Sequence, residues 1–234
     1  KFAYGVELTD PDSIEAAGGD YFDNSHGSHV ASIAAGSQNI SDGKMLGMAP
    51  EAELVFVKVN FGNVNNIPDA ITYIFDYADE VGKPCVINMS LGIQMGPHDG
   101  TSSTDTFIDR VTGPGRVIVG GSGNDSPNNC HIRRTVTQQE VGKPLSTFIR
   151  YVYNVSAEDT GGNVCVWADK GARLNVVFVF YKLSTKEEVE RAVLDFDDQL
   201  HRLTLGENVG GYFNGATEIN PLNGKTHAEI SSKA

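Results

Sequence analysis

The chain has 234 residues and carries 18 Lys and Arg against 30 Asp and Glu, a formal charge of −12. Such a surface repels a phosphate backbone and an anionic bilayer, which excludes nucleic acid and acidic membranes as partners. Hydrophobic residues at 40% and charged residues at 21% describe a globular chain able to bury a core, and no apolar run approaches the roughly 18 residues of a membrane span.

The opening KFAYGVELTD has no initiator Met, no basic start and no apolar signal core, so the expectation is a piece cut from something longer. HGSHVASIAAG at 26–36 places Val30, Ile33 and Ala34 at i, i+3, i+4 and predicts a helix that Gly36 stops. GMAPEAELVFVKVN then predicts a turn at Ala49-Pro50 and a strand from about Glu53 to Val59. Ile67, Ala70, Ile71, Ile74, Phe75, Ala78 and Val81 form one continuous stripe, a helix with Pro68 in its first turn and Gly82 at its end. PCVINMS is an apolar run of strand length, expected where both faces of a sheet are covered. Phe107, Ile108 and Val111 predict another helix, and RVIVGG another buried strand. Alternating helices and strands imply an α/β fold, a parallel sheet flanked by helices, with ligands outside the carboxyl ends of the strands.

The character changes near Pro127-Asn128-Asn129. LSTFIRYVYNVS, NVCVWAD and RLNVVFVFYKLS alternate and read as antiparallel strands, and KEEVERAVLDFDDQL suits a short helix or further strand. The Asn-Gly pairs at 214–215 and 223–224 are hairpin-turn candidates. The expected division is therefore a partial α/β domain at 1–128 and a β-rich module at 129–234, inserted or appended. Cys85 reads as a buried free thiol; Cys130 and Cys165 do not specify a pair, and no zinc spacing is present.

His26 and His29 share a helix face, which suits a metal site, a hydrogen-bonded helix start or half of a catalytic apparatus. The metal reading lacks the glutamate of HExxH and a nearby third ligand. A histidine can act as general base near neutral pH, and the small neighbours Gly27, Ser28 and Ala31 permit close approach. Asn124 follows Gly123 at a strand's carboxyl end and carries an NH2 that can meet an oxyanion, although an Asn after Gly also suits a plain turn. His98 and Asp99, adjacent in MGPHDGTSS, do not make a catalytic pair by adjacency and read as a surface loop. Asp10, Asp12, Asp20 and Asp23 fit no EF-hand spacing.

HGSHVAS, GMAPEAEL, NMSLG and GSGND, in this order over residues 24–127, resemble the subtilisin-like serine peptidases, the subtilases. The resemblance implies that His26 is the general base and Asn124 the oxyanion donor, with His29 packed or hydrogen-bonded in support. Ser90, Leu91 and Gly92 would pair with an extended substrate strand, and Gly121, Ser122 and Gly123 would line the facing edge. The partner implied is a peptide or protein substrate, no cofactor is needed, and calcium, often bound by subtilases, has no assignable site. The family's aspartate motif, expected before the histidine, and its serine motif, expected after the asparagine, are not in the chain. DGTSS precedes GSGND, so Ser102 and Ser103 are not assigned as nucleophile. Some Bacteroides-like and clostridial subtilases carry a β-sandwich insertion between the Asn and Ser motifs, and GKPCVINMSLG and GPHDGTS look like that branch. The expectation is a serine endopeptidase fragment, inactive alone, from an extracellular or cell-envelope protein of unspecified oligomeric state. The alternative is a non-catalytic peptide-binding or adhesion module.

Overall fold

The structure is a computed structural model that describes residues 2–18, 25–37, 46–63, 66–149, 161–182, 184–197, 199–204 and 212–233. The chain divides into two compact units, Lys1–Gly92 with Val111–Ser122, and Ile93–Arg110 with Gly123–Ala234. Residues 93–110 and 123–128, read from sequence with the α/β part, thus group with the β-rich part.

In the first unit, helix α1 (Pro11–Ala17) begins at Asp10, whose carboxylate accepts from the Ser13 amide at 2.8 Å and from its hydroxyl at 2.5 Å. These bonds hold the Asp10 carboxyl below its usual range, as expected of a helix cap. Asp20 and Asp23 lie outside the described residues. Helix α2 (His26–Ala35) starts with the histidine motif and ends at Gly36 as predicted. Its last carbonyls are taken up by the following segment: Gly47 donates to Gly36 O (2.8 Å), Met48 to Ile33 O (3.0 Å) and Ala49 to Ala34 O (2.9 Å). GMA is thus a backbone clasp on α2. A Cβ at Gly47 would sit 2.4 Å from Gly36 N and 2.7 Å from Ala35 N, so only glycine permits the approach. We expect Gly47→Ala to destabilise this unit by about 1–3 kcal/mol, the size of an overpacking strain, read as a lower denaturant midpoint at unchanged slope.

Helix α3 (Asn66–Glu80) buries Ile71, Phe75 and Ala78. It closes with Gly82 donating to Asp79 O and Lys83 to Ala78 O, a Schellman pair. It packs on strand β1 (Cys85–Met89), whose Ile87 points into the same core. Strand β2 (Arg116–Gly120) runs parallel to β1, from Cys85 opposite Arg116 to Met89 opposite Gly120. Helix α4 (Ser103–Val111) lies between them in sequence but belongs, up to Arg110, to the second unit. Ser102 Oγ accepts from the Asp105 amide and Asp105 returns the bond, a capping box that gives the DGTSS serine a structural role.

Two expectations are corrected. The parallel sheet has two strands among the described residues, because 53–59 forms no strand and is tied instead through Glu53 to Tyr77 and Lys83. The sheet is not covered on both faces either: Val86 is 68% exposed, Val117 46% and Val119 49%. The apolar run reflects strand propensity on both faces, whereas α3 supplies cover on one. Cys85 is half-buried, and burial pushes its thiol up.

In the second unit, strands β3 (Gly161–Ala168), β8 (Thr226–Lys233), β7 (Tyr212–Ile219) and β6 (Leu200–Thr204) form an antiparallel sheet in that order. Strands β4 (Val176–Tyr181) and β5 (Glu188–Leu194) form a separate antiparallel pair. KEEVERAVLDFDDQL therefore supplies strands rather than a helix. Ala192 and Leu194 of β5 bury themselves with Ala228 and Ile230 of β8, joined by Val164, Val166, Val176, Phe178 and Phe180. Buried Thr217 and Thr226 donate to Asp195 O (2.6 Å) and Ala172 O (2.5 Å), so each hydroxyl is satisfied.

Of the two Asn-Gly pairs, Asn223-Gly224 lies in the β7–β8 turn, with Gly224 donating to Asn220 O at 2.8 Å. Asn214-Gly215 lies within β7 instead, and the hairpin expectation there is corrected. Gly215 is needed beneath the core, where a Cβ would stand 3.0 Å from Leu194 and 3.2 Å from Ile230. The segment at 145–149 forms no strand, and 150–156 lies outside the described residues. On the face of the sheet opposite that cluster, half-buried Trp167 stacks on buried His227 with centroids 4.4 Å apart. Cys130 and Cys165 are free thiols.

Candidate active site

The carboxyl ends of β1 and β2 in the first unit are where a parallel sheet binds ligands. His26 is the first residue of α2, and its Nε2 lies 3.2 Å from Ser90 O, the carbonyl just past β1. A carbonyl only accepts, so in this arrangement Nε2 carries the proton. The Gly121 amide donates to Met89 O at 3.0 Å, and its Cβ position would be 3.7 Å from Ser90 Cα, which fastens the two strand ends together. Ser90 Oγ accepts from Asn88 Nδ2 at 3.0 Å.

His26, Ser90 and Gly121, singled out from separate stretches of sequence, are therefore neighbours. Leu91, Gly92 and Ser122 continue from them, exposed and outside regular structure. His29 is exposed on α2, not packed in support of His26; α2 buries only Ala35 among its residues. The pocket lined by Ala78, Lys83, Pro84 and Arg116 lies at the opposite, amino ends of the strands.

Gly123 and Asn124 belong to the second unit. Gly123 adopts φ +82°, a conformation a side chain strains, and Asn124 is exposed directly after it. The turn is pinned by Asp125, which accepts from Gln94 Nε2 at 2.6 Å and from Asn128 Nδ2 at 3.1 Å. His98 bonds Gln94 O at 3.1 Å, while Asp99 accepts from Thr101 and pairs with Lys225. The adjacent His98 and Asp99 thus have separate partners. Sequence reasoning missed Gln94, Asp125 and Lys225, because their partners lie 31 and 126 residues away in the chain.

Among the described residues no group of three or more His, Cys, Asp or Glu is placed to hold a metal ion, and no helix is long and apolar enough to cross a membrane.

A model of the peptidase S8, or subtilase, family matches residues 9–185. The chain belongs to the subtilase family. It is 33% identical over 135 residues to the thermophilic serine proteinase of Bacillus sp. strain AK1, a match covering 52% of this chain and 31% of that protein. It is also 33% identical over 135 residues to thermitase of Thermoactinomyces vulgaris, covering 55% of this chain and 43% of the relative. The major intracellular serine protease of Bacillus subtilis is 38% identical over 123 residues, covering 52% of this chain and 36% of the relative. The structure of the Clostridium perfringens CspB protease superposes with a TM-score of 0.53 at 19% identity, covering 88% of this chain and 42% of that one. That likeness shows a subtilase-like fold. The chain spans less than half the length of each of these relatives.

Proposed function

We propose that this subtilase chain is the histidine- and asparagine-bearing part of a serine endopeptidase, with the triad aspartate and serine outside it. The observation that carries the reading is His26 Nε2 beside Ser90 O, which brings the proposed base to the proposed substrate strand. In the reaction, a serine hydroxyl attacks the scissile carbonyl carbon while His26 Nε2 takes its proton. The carbonyl's π electrons move onto its oxygen, where Asn124 Nδ2 donates a hydrogen bond. Collapse breaks the C–N bond, and the leaving amine takes the proton from His26. Water then hydrolyses the acyl-enzyme by the same sequence. For Nε2 to act as base, its proton must sit on Nδ1 instead, so the Ser90 O contact belongs to the resting tautomer or to the imidazolium.

Ser90–Gly92 and Gly121–Gly123 are the proposed walls of the substrate cleft, with peptide backbone pairing along them. Residues 1–128 are proposed as part of the catalytic domain and 129–234 as a sandwich-like insertion, of the Bacteroides and clostridial branch. Packing of the β4–β5 pair against β8 supports the sandwich reading. An extracellular or cell-envelope location is part of the same proposal, although one relative is named as intracellular.

The test is turnover of a protein substrate such as casein by the full-length gene product, with and without a serine-reactive fluorophosphonate. We expect inhibitor-sensitive hydrolysis by the full-length protein and none by the 234-residue chain. Serine-dependent turnover by the chain alone contradicts the proposed division of the triad. Peptide binding without hydrolysis in the full-length protein identifies a non-catalytic binder.

A further inference from the structure

We infer that the β-rich unit is a positioning clamp for the asparagine turn, acting through the loop at 93–101; this rests on the peptidase reading of Asn124. The loop follows directly on Gly92 in the chain and is held at two places. At its far end, Lys225 pairs with Asp99, and Asn223 Nδ2 donates to Thr101 Oγ1 at 2.8 Å. Both partners come from the β7–β8 turn, which the Asn220 carboxamide orders by accepting from the Leu222 and Asn223 amides. At its near end, Gln94 donates to Asp125 at 2.6 Å, one residue past Asn124.

The chain of contacts runs hairpin, loop, Asp125, Asn124, entirely within the second unit. Its parts are local and directional. His98 sits at φ +49° and ties its ring to Gln94 O, so the two anchored ends are joined by a folded loop rather than a slack one. An oxyanion donor works by preorganisation, since the amide must already point where charge will develop. Gly123 leaves the turn free to swivel, and the Gln94–Asp125–Asn128 bonds remove that freedom. Gln94, Asp125, Asp99 and Lys225 are accordingly positioning residues. The carboxyl of Asp99 is held below its usual range first by Lys225 and then by Thr101. A depressed carboxyl pKa adds stability above the ordinary carboxylate value and loses it as pH falls through the folded value, so the far anchor loosens in acid.

Two arms test this. In the 234-residue chain, hydrogen exchange is followed in Lys225→Ala and Gln94→Ala, with β3 and β8 amides as the control for folding. We expect Lys225→Ala to speed exchange about 3-fold to 10-fold in both 93–101 and 123–128, and the D99K/K225D swap to restore it. Unchanged exchange at 123–128 overturns the clamp. In the full-length peptidase, Gln94→Ala should lower kcat per fluorophosphonate-titrated site roughly 10-fold with KM near wild type, inside the ceiling of about 10² for a 1 Å misplacement. A merely structural role would lower the titrated fraction and leave kcat per site unchanged, which also overturns the clamp. If wild-type full-length protein does not react with the fluorophosphonate, the peptidase reading fails, and the exchange arm decides the clamp by itself.

Discussion

His26→Ala in the full-length protein is expected to lower kcat by about 10⁶-fold with KM little changed, a size borrowed from subtilisin, a member of the same family. The physical reason is that His26 Nε2 is the group proposed to take the serine's proton. The side chain stands at the start of α2, exposed and outside the core, so its removal should cost the fold little. That separation makes the prediction sharp. If His26 only satisfies a carbonyl at a helix start, the alanine variant keeps most of its activity and loses one hydrogen bond worth about 1 kcal/mol. A denaturant midpoint measured on the same samples separates loss of chemistry from loss of folded enzyme.

Asn124→Ala is expected to lower kcat by roughly 10²–10³-fold with KM near wild type, again a subtilisin magnitude. Its signature differs from that of His26→Ala. The triad would remain complete, so slow acylation should still be measurable in a burst experiment, with the deficit falling on steps that form an oxyanion. Asn124→Asp provides the stronger contrast, because it replaces a donor by an acceptor with negative charge and should be no better than alanine. An effect on KM alone in both variants would place Asn124 in ground-state binding and remove it from the oxyanion site.

The α/β elements were legible where periodicity and punctuation agreed. The stripe from Ile67 to Val81 with Pro68 and Gly82 became α3, and CVINM and RVIVG became the parallel pair. The candidate base and substrate strand were legible as motifs, and the fold put His26 beside Ser90. The failures have local causes. Alternation at 53–59 reports strand propensity, but a ladder also needs a neighbouring edge, which the described residues do not provide there. Asn214-Gly215 has turn chemistry, yet the fit of Gly215 under Leu194 and Ile230 keeps it in mid-strand. His29 shares a helix face with His26 by spacing, but α2 turns that residue to solvent. The long-range partners Gln94–Asp125 and Asp99–Lys225 leave no trace in periodicity, because each is one polar side chain on a loop.

The central claim is that His26 activates a serine in the complete protein, and the rate of covalent labelling by a fluorophosphonate tests it most directly. Labelling reports nucleophile activation without requiring a known substrate. The account predicts that wild-type full-length protein is labelled at one serine, outside the 234 residues of this chain, and that His26→Ala slows labelling by at least about 10³-fold. Labelling at the same rate in wild type and His26→Ala, or at Ser102 or Ser103, would contradict it.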